Sequence, residues 1–369
     1  MKILFICGSL APGRDGVGDY TRRLAGELIR QGHQVVIIAL NDRHIDTPLI
    51  SKQESDGTII SVVRLPAKLK EKERYKLASN FINDFNPEWL SLQFVPFSFQ
   101  DEGLPFGLGY QLAKIGGKGR KWHVMFHELW VGMNTEATCK FKVWGIIQRE
   151  ITRSILKQLH PVVIHTQTKL YQFELFNLGY NVIYLPLFGN IPVLNKQDKE
   201  GKPTKLSFVV FGGIHYGAPI AEFAKQVRIY AITNNIEIEV IFIGRCGAEL
   251  ESWIQICKTE GLRVSVLGEQ SPMILSEVLS QSNIGITSTP FLLVEKSGTV
   301  AAMLEHGLSV ICVARQWTVA GFGNDNMQSN VKLFNINDFS HDSVLNSNSE
   351  QHNTVSNVTR QLIELLTKK

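Results

Sequence analysis

The chain has 369 residues, 44% of them apolar, and 38 Lys and Arg against 34 Asp and Glu, a formal charge of +4. That length suits roughly two globular domains. No apolar run approaches the roughly 20 residues of a membrane-spanning helix, and so mild a charge does not by itself imply a nucleic-acid partner.

The N-terminal run MKILFICGSLAPG carries a single Lys and a short apolar segment before Asp15 and a helical pattern. It reads as a first strand and not as a signal peptide. A glycine-rich loop, GSLAPGRDGVGDY, leads into a helix with Val17, Tyr20, Leu24, Leu28 and Ile29 on one face, ending at Gly32. QVVIIAL, ISVVRL, WLSLQF, KWHVMF and PVVIHTQ follow as strands, separated by helix-like segments at about 70–85, 102–116 and 139–159. Apolar strands without alternation, spaced by helices, indicate a parallel sheet covered on both faces. NVIYLPL closes this half, 1–190.

GNIPVLNKQDKEGKPTK is polar, contains Pro192 and Pro203 and lacks apolar periodicity, so residues 191–204 read as a linker. The alternation then restarts over 205–340, with strands KLSFVVFGG, EIEVIFIG, RVSVLG and NIGITS and helices at about 219–233, 247–260 and 272–281. Residues 337–354 read as a loop, and the amphipathic segment 355–369 as a final helix that packs back on the first half. Two doubly wound halves joined by a linker make a cleft, and ligands of such sheets bind at the carboxyl ends of the strands. The five cysteines, Cys7, Cys139, Cys246, Cys257 and Cys312, form no C-x-x-C pair. Reduced thiols in a cytoplasmic protein account for that pattern.

The stretch Pro290–Ala314, PFLLVEKSGTVAAMLEHGLSVICVA, reads as a loop, a helix and a strand. Ser297 is placed to cap a helix over 298–306, leaving the amides of Gly298, Thr299 and Val300 without intrahelical partners. Gly307 supplies the positive φ that ends it. Such a helix start, with Lys296 alongside, suits a phosphate; an ordinary capped helix is the plainer alternative.

In order and spacing these segments resemble the retaining GT-B glycosyltransferases of the family 4 type. Gly16-Val17-Gly18-Asp19-Tyr20-Thr21 with LAGELIRQGHQVVII is similar to that family's glycine loop, first helix and second strand. His127-Glu128 falls after the strand KWHVMF, where the family has a His-Asp-like pair. FVVFGGIHYGAP, LSEVLSQSNIGITSTPF and AAMLEHGLSVI resemble the C-terminal domain's first loop, its helix-strand passage and its "EAMACGLPVI" passage. The resemblance implies two Rossmann-like domains facing each other across a cleft. It also implies transfer of a hexose from a nucleotide-sugar, a UDP-hexose such as UDP-glucose, to a sugar or lipid-linked glycan acceptor in envelope polysaccharide assembly.

Stabilising the departing diphosphate needs fixed N–H groups and cations aimed at it. That work is assigned to the amides of Ser297, Gly298 and Thr299 and of the Gly16-Val17-Gly18 loop, with Lys296 and Arg245. Glu269, at a strand end, is assigned to the base, Glu295 to donor-sugar hydroxyls and His127 to a place over the sugar, as the resemblance implies. Glu128 belongs to the acceptor side with the aromatic loop holding Phe97 and Phe99, where Phe94 and Phe106 also lie. Without an Asp-x-Asp, a metal-spaced His or Cys cluster or a P-loop, chemistry without a metal ion is expected.

Two departures stand out. The second glutamate that flanks the donor-binding helix in the family falls on Ala302 or Met303, with Glu305 out of register, and the family's Lys-Gly is replaced by Tyr216-Gly217. A nucleotide-sugar 2-epimerase of the same fold, a non-catalytic homologue and a two-domain solute-binding protein are the rival readings. Basic stretches at 68–76 and 114–123, with Arg149, Arg153 and Lys157, suit either peripheral contact with an anionic membrane or solvated helix faces.

Overall fold

The computed structural model describes residues 1–194, 205–327, 330–335 and 353–368. The expected linker is therefore described only to residue 194 and the expected loop at 337–354 only at its last two residues; the remainder lies outside the described residues. The chain divides into two compact units. The first comprises Met1–Pro186, Val319–Phe322 and Val355–Lys369, the second Leu187–Thr318 and Gly323–Thr354.

The first unit is built on an eight-stranded sheet. Its strands are β1 (Lys2–Cys7), β2 (Gln34–Asp42), β3 (Leu49–Ser55), β4 (Thr58–Pro66), β5 (Trp89–Phe94), β6 (Lys121–Phe126), β7 (Val163–Thr166) and β8 (Ile183–Tyr184). Their order is β3-β4-β2-β1-β5-β6-β7-β8. All pairs are parallel except β3 with β4. That hairpin was not legible in the sequence, because β3 is a half-polar edge strand, LISKQES, without an apolar run.

Six helices, α1 (Gly16–Arg30), α2 (Glu71–Phe85), α3 (Pro96–Phe99), α4 (Leu108–Gly116), α5 (Cys139–Leu159) and α6 (Lys169–Asn177), cover the sheet. The segment read as one helix from 102 is a loop up to Gly107, whose left-handed backbone (φ 73°) delays the helix to Leu108. Helix α6 was not expected; Thr168 caps it through the Tyr171 amide. The C-terminal helix Val355–Thr367 packs on α1 and buries Val358 and Leu362 completely. Among the described residues no helix is long and apolar enough to cross a membrane.

The second unit is a six-stranded, all-parallel sheet of β9 (Lys205–Phe211), β10 (Glu237–Ile243), β11 (Arg263–Gly268), β12 (Ile284–Thr287), β13 (Ser309–Cys312) and β14 (Val331–Leu333). The order β11-β10-β9-β12-β13-β14 is that of a Rossmann sheet, reversing between β9 and β12. The crossovers α7 (Ile220–Asn234), α8 (Leu250–Thr259), α9 (Pro272–Gln281) and α10 (Gly298–Glu305) supply the covering layers. Phe208, Phe242, Val227, Trp253 and Ile284 pack on one face, and Val209, Leu279, Met303 and Val310 on the other. Continuous apolar strands are what a sheet covered on both sides requires.

Candidate functional site

In the second unit the sheet reversal brings two loops together beyond the ends of β9 and β12. The amide of His215 donates to Ser288 Oγ at 2.8 Å, tying one loop to the other. Gly212 holds a left-handed backbone (φ 80°), and a Cβ there would lie 2.8 Å from Thr299 Cγ2, so only glycine lets the first loop approach the start of α10. After β12 the chain makes a 3₁₀ turn, Phe291–Lys296, and Ser297 then caps α10, its Oγ accepting from the Val300 amide. Val300 is thus taken, and the amides of Gly298 and Thr299 are those left to a ligand. Ser297 Oγ and Thr299 Oγ1 lie 3.1 Å apart and form the hydroxyl rim of this helix start.

Three cationic or titratable side chains, Lys296, His215 and Arg315, lie on the loops around this helix start. Partial burial lowers the His215 pKa, and the nearby charges of Lys296 and Arg315 lower it further. Arg315 also lies along Gly217, where a Cβ would be 3.5 Å from Arg315 Cδ. Neither His215 nor Arg315 was singled out from the sequence. The available signal was position, since each follows the carboxyl end of an apolar strand by a few residues. The combination of α10 amides, Lys296, Arg315 and His215 is suited to an anion.

The other residues expected on this side are distributed differently. Arg245 and Glu269 face each other at 3.6 Å with both side chains more than half exposed, an arrangement that stabilises the fold little. Glu295 is half-buried in the 3₁₀ turn. Ala302 and Met303, where the second glutamate would stand, are fully buried. Ala302 is sealed by Gly189, whose own Cβ would lie 2.8 Å from the Ala302 Cα. Glu305 is turned inward as well, its Oε2 accepting from the Gly189 amide at 3.0 Å. It anchors that segment instead of facing a ligand.

In the first unit the loop after β1 is held from below. Asp42, at the end of β2, accepts from the amides of Leu10 (3.1 Å) and His44 (3.0 Å) and pairs with Arg64 at 2.7 Å. Gly18 is buried where a Cβ would be 2.5 Å from the Ser9 carbonyl oxygen, so this glycine closes the loop onto α1. Asp15 caps α1, its Oδ1 accepting from the Gly18 amide at 2.7 Å. A carboxylate already occupies this helix start, which weighs against the Gly16-Val17-Gly18 amides as an anion site. Gly16 is exposed, and a Cβ there would meet nothing within 4 Å.

His127 follows β6 and is 5% exposed, with Nε2 2.9 Å from Gln93 Oε1 and Nδ1 3.1 Å from Gln167 Oε1. Its ring stands edge-on to Tyr20 at 4.9 Å between centroids. Glu128 beside it is half-buried. Of the aromatic loop, Phe99 is buried and stacked on Phe94 at 6.0 Å, so it belongs to the core and not to a sugar platform, whereas Phe97 is exposed. Several of the basic residues have local partners. Lys68 pairs with Asp46, Arg153 with Glu150, and Arg149 lies over the Trp130 ring.

Behind His127 lie two further buried histidines. Burial pushes His165 down to about 4 and His123 well below the ordinary range, the latter also disfavoured by His165 and His127. Both are therefore neutral at pH 7, and the unfolded chain takes up their protons first as pH falls below about 6.5. Stability is expected to decline between about pH 6.5 and about pH 4, by on the order of 3 kcal/mol for His165 alone. Urea unfolding across that interval checks it. A His165→Gln chain should show a flatter profile, and an equally steep one would locate the proton uptake elsewhere.

No family model matches the chain, and a search of curated proteins finds no match. Solved structures match it over its whole length, and they define it as a protein of the GT-B fold, built of two Rossmann-like units. One is HepE of Anabaena in complex with UDP and glucose, at TM-score 0.61 and 14% identity, with 100% of both chains covered. Another is the lipopolysaccharide outer core galactosyltransferase WaaB in its apo form, at 0.57 and 13%, covering 100% of this chain and 99% of that one. A variant of S. aureus TarM, in complex with fondaparinux, alpha-GlcNAc-glycerol and UDP, matches at 0.54 and 10%, covering 100% and 97%. The fold is what the chain shares with them.

Proposed function

We propose that this protein is a retaining glycosyltransferase of the family 4 type. It moves a hexose from a UDP-hexose such as UDP-glucose to a sugar or lipid-linked glycan acceptor, at the cytoplasmic side of envelope or exopolysaccharide assembly. The observation that carries the reading is the start of α10 at the sheet reversal of the second unit, with Lys296 next to it in the chain and the loop bearing His215 approaching it through Gly212. Open α/β sheets bind nucleotides at that point. The complexes of HepE and TarM with UDP support the choice of nucleotide, and the likeness to WaaB, a galactosyltransferase, supports hexosyl transfer.

In this reading the diphosphate is neutralised by those amides and cations, so that no metal ion is required, and Glu295 takes donor-sugar hydroxyls. The leaving phosphate accepts the acceptor's proton on the face from which the bond breaks, giving retention. The acceptor is held by the first unit, with Phe97 and Glu128 on its side of the reaction and His127 near the sugar. Incubation with a panel of nucleotide-sugars tests the proposal. A transferase slowly releases UDP from its donor even to water, and faster with a glycan acceptor. Conversion to an epimeric nucleotide-sugar would identify an epimerase. Thermal stabilisation without turnover would identify a non-catalytic binder, and either result would overturn the proposal.

A further inference from the structure

The first unit contains a buried hydrogen-bonded chain that the reaction as written does not use. Parallel register sets Ser91 of β5 opposite His123 of β6, and His123 opposite Val163 of β7, with His165 two residues on. Side chains alternate along a strand, so Ser91, Gln93, His123 and His165 share one face, and His127 and Gln167 continue that parity past the strand ends. The other parity is apolar, as Leu90, Leu92, Phe94, Val124 and Phe126 show. None of the six polar residues is more than 5% exposed.

Their contacts form an unbroken series. His165 Nδ1 lies 3.0 Å from His123 Nε2, and His123 Nδ1 lies 2.7 Å from Ser91 Oγ. Gln93 Nε2 donates to Ser91 Oγ at 2.8 Å, while its Oε1 faces His127 Nε2 at 2.9 Å. With Gln93 Nε2 the donor to Ser91, a single direction of donation follows. Ser91, accepting from Gln93, has its own hydrogen to give to His123 Nδ1, so His123 carries its proton on Nε2 and donates to His165. At the other end the Gln93 carbonyl requires a proton on His127 Nε2, which leaves a lone pair on Nδ1.

Half a turn of the Gln167 amide, which also lies at the Tyr20 hydroxyl, places its N–H on His127 Nδ1. His165 Nε2, the last donor of the series, is buried without a partner. An unsatisfied buried group costs about 1–3 kcal/mol. Apolar residues at these strand positions would avoid that cost, so stability alone does not account for the series.

We propose that Gln93, Ser91, His123 and His165 are positioning residues that hold His127 in its Nε2–H tautomer, with Nδ1 kept as a hydrogen-bond acceptor. Resting on the function proposed above, that acceptor takes a sugar hydroxyl in exchange for Gln167. The tautomer itself does not depend on that function, so the two can fail separately.

The test is ¹⁵N NMR of the full chain labelled at histidine, at neutral pH. Wild-type His127 should show a protonated Nε2 and an unprotonated Nδ1. Ser91→Ala, which cuts the series, should move both His127 nitrogens toward the averaged shifts of mixed tautomers, and Ser91→Thr should restore them. His165→Gln provides a second cut should Ser91→Ala fail to fold. In turnover assays Ser91→Ala should lower kcat at least about tenfold, as changes to groups that orient a reacting histidine or fix its tautomer do, with little change in KM. A wild-type His127 protonated on Nδ1, or shifts unchanged by both cuts, would overturn the proposal. If the NMR result holds and no nucleotide-sugar is turned over, the function falls and the tautomer assignment stands.

Discussion

Lys296→Ala is expected to lower the turnover of a nucleotide-sugar by at least about tenfold, and by as much as about 10³, the range seen when one fixed donor to a developing anion is removed. Arg315→Ala should do the same, and Glu295→Ala should cost at least about tenfold through the donor sugar. Charge on the diphosphate grows as the glycosyl bond breaks, so the loss should fall mainly on kcat and only slightly on KM. Lys296 and Arg315 both lower the His215 pKa, after partial burial, so both charges lie within electrostatic reach of that ring. Lys225→Ala, an exposed lysine of α7, is the control for general loss of positive charge. Steady-state kinetics with unchanged melting temperatures separates chemistry from folding. Wild-type kcat in both Lys296→Ala and Arg315→Ala would place the diphosphate away from α10.

The second large effect is on stability. Asp42→Ala should destabilise the chain by about 3–5 kcal/mol, because it strands a buried charge partner. The Asp42 side chain is fully buried and that of Arg64 only 11% exposed, and the same carboxylate holds the Leu10 and His44 amides. Burial by itself would raise the Asp42 pKa. The bond from Arg64 and those from the His44 and Leu10 amides outweigh it, so the folded value lies below the ordinary one. A lowered folded pKa means that this stabilisation is complete above the unfolded value of about 4 and is lost as pH falls through the folded one. Its window therefore lies below that of the buried histidines. Urea midpoints at pH 7 for the wild-type, Asp42→Ala and Asp42→Asn chains measure the effect, with Asp42→Asn expected to lose less because it keeps one acceptor. A midpoint unchanged by Asp42→Ala would show that Arg64 and the loop are held by other groups.

Local chemistry determined a good deal of this protein in the sequence alone. Apolar runs spaced by amphipathic segments specify two parallel sheets, since strands covered on both faces must be apolar throughout. Ser297 before a helical stretch and Gly307 after it mark α10, because capping needs only a side chain three residues from an amide. These are short-range effects, and the elements they mark lie where the sequence places them.

The tertiary structure alone decided the rest. The β3–β4 hairpin pairs a half-polar edge strand, and nothing in its own residues announces a partner. Arg315 and His215 lie a hundred residues apart and share a field only because the Rossmann order sets β13 near the loop after β9. Phe99 and Phe97 are alike in sequence, yet one stacks in the core and the other faces solvent. The series from His165 to Gln167 exists because parallel register puts like parity on three adjacent strands. Periodicity reports which face a residue takes along its own strand, whereas the identity of its neighbour depends on strand order, and strand order is a property of the whole fold.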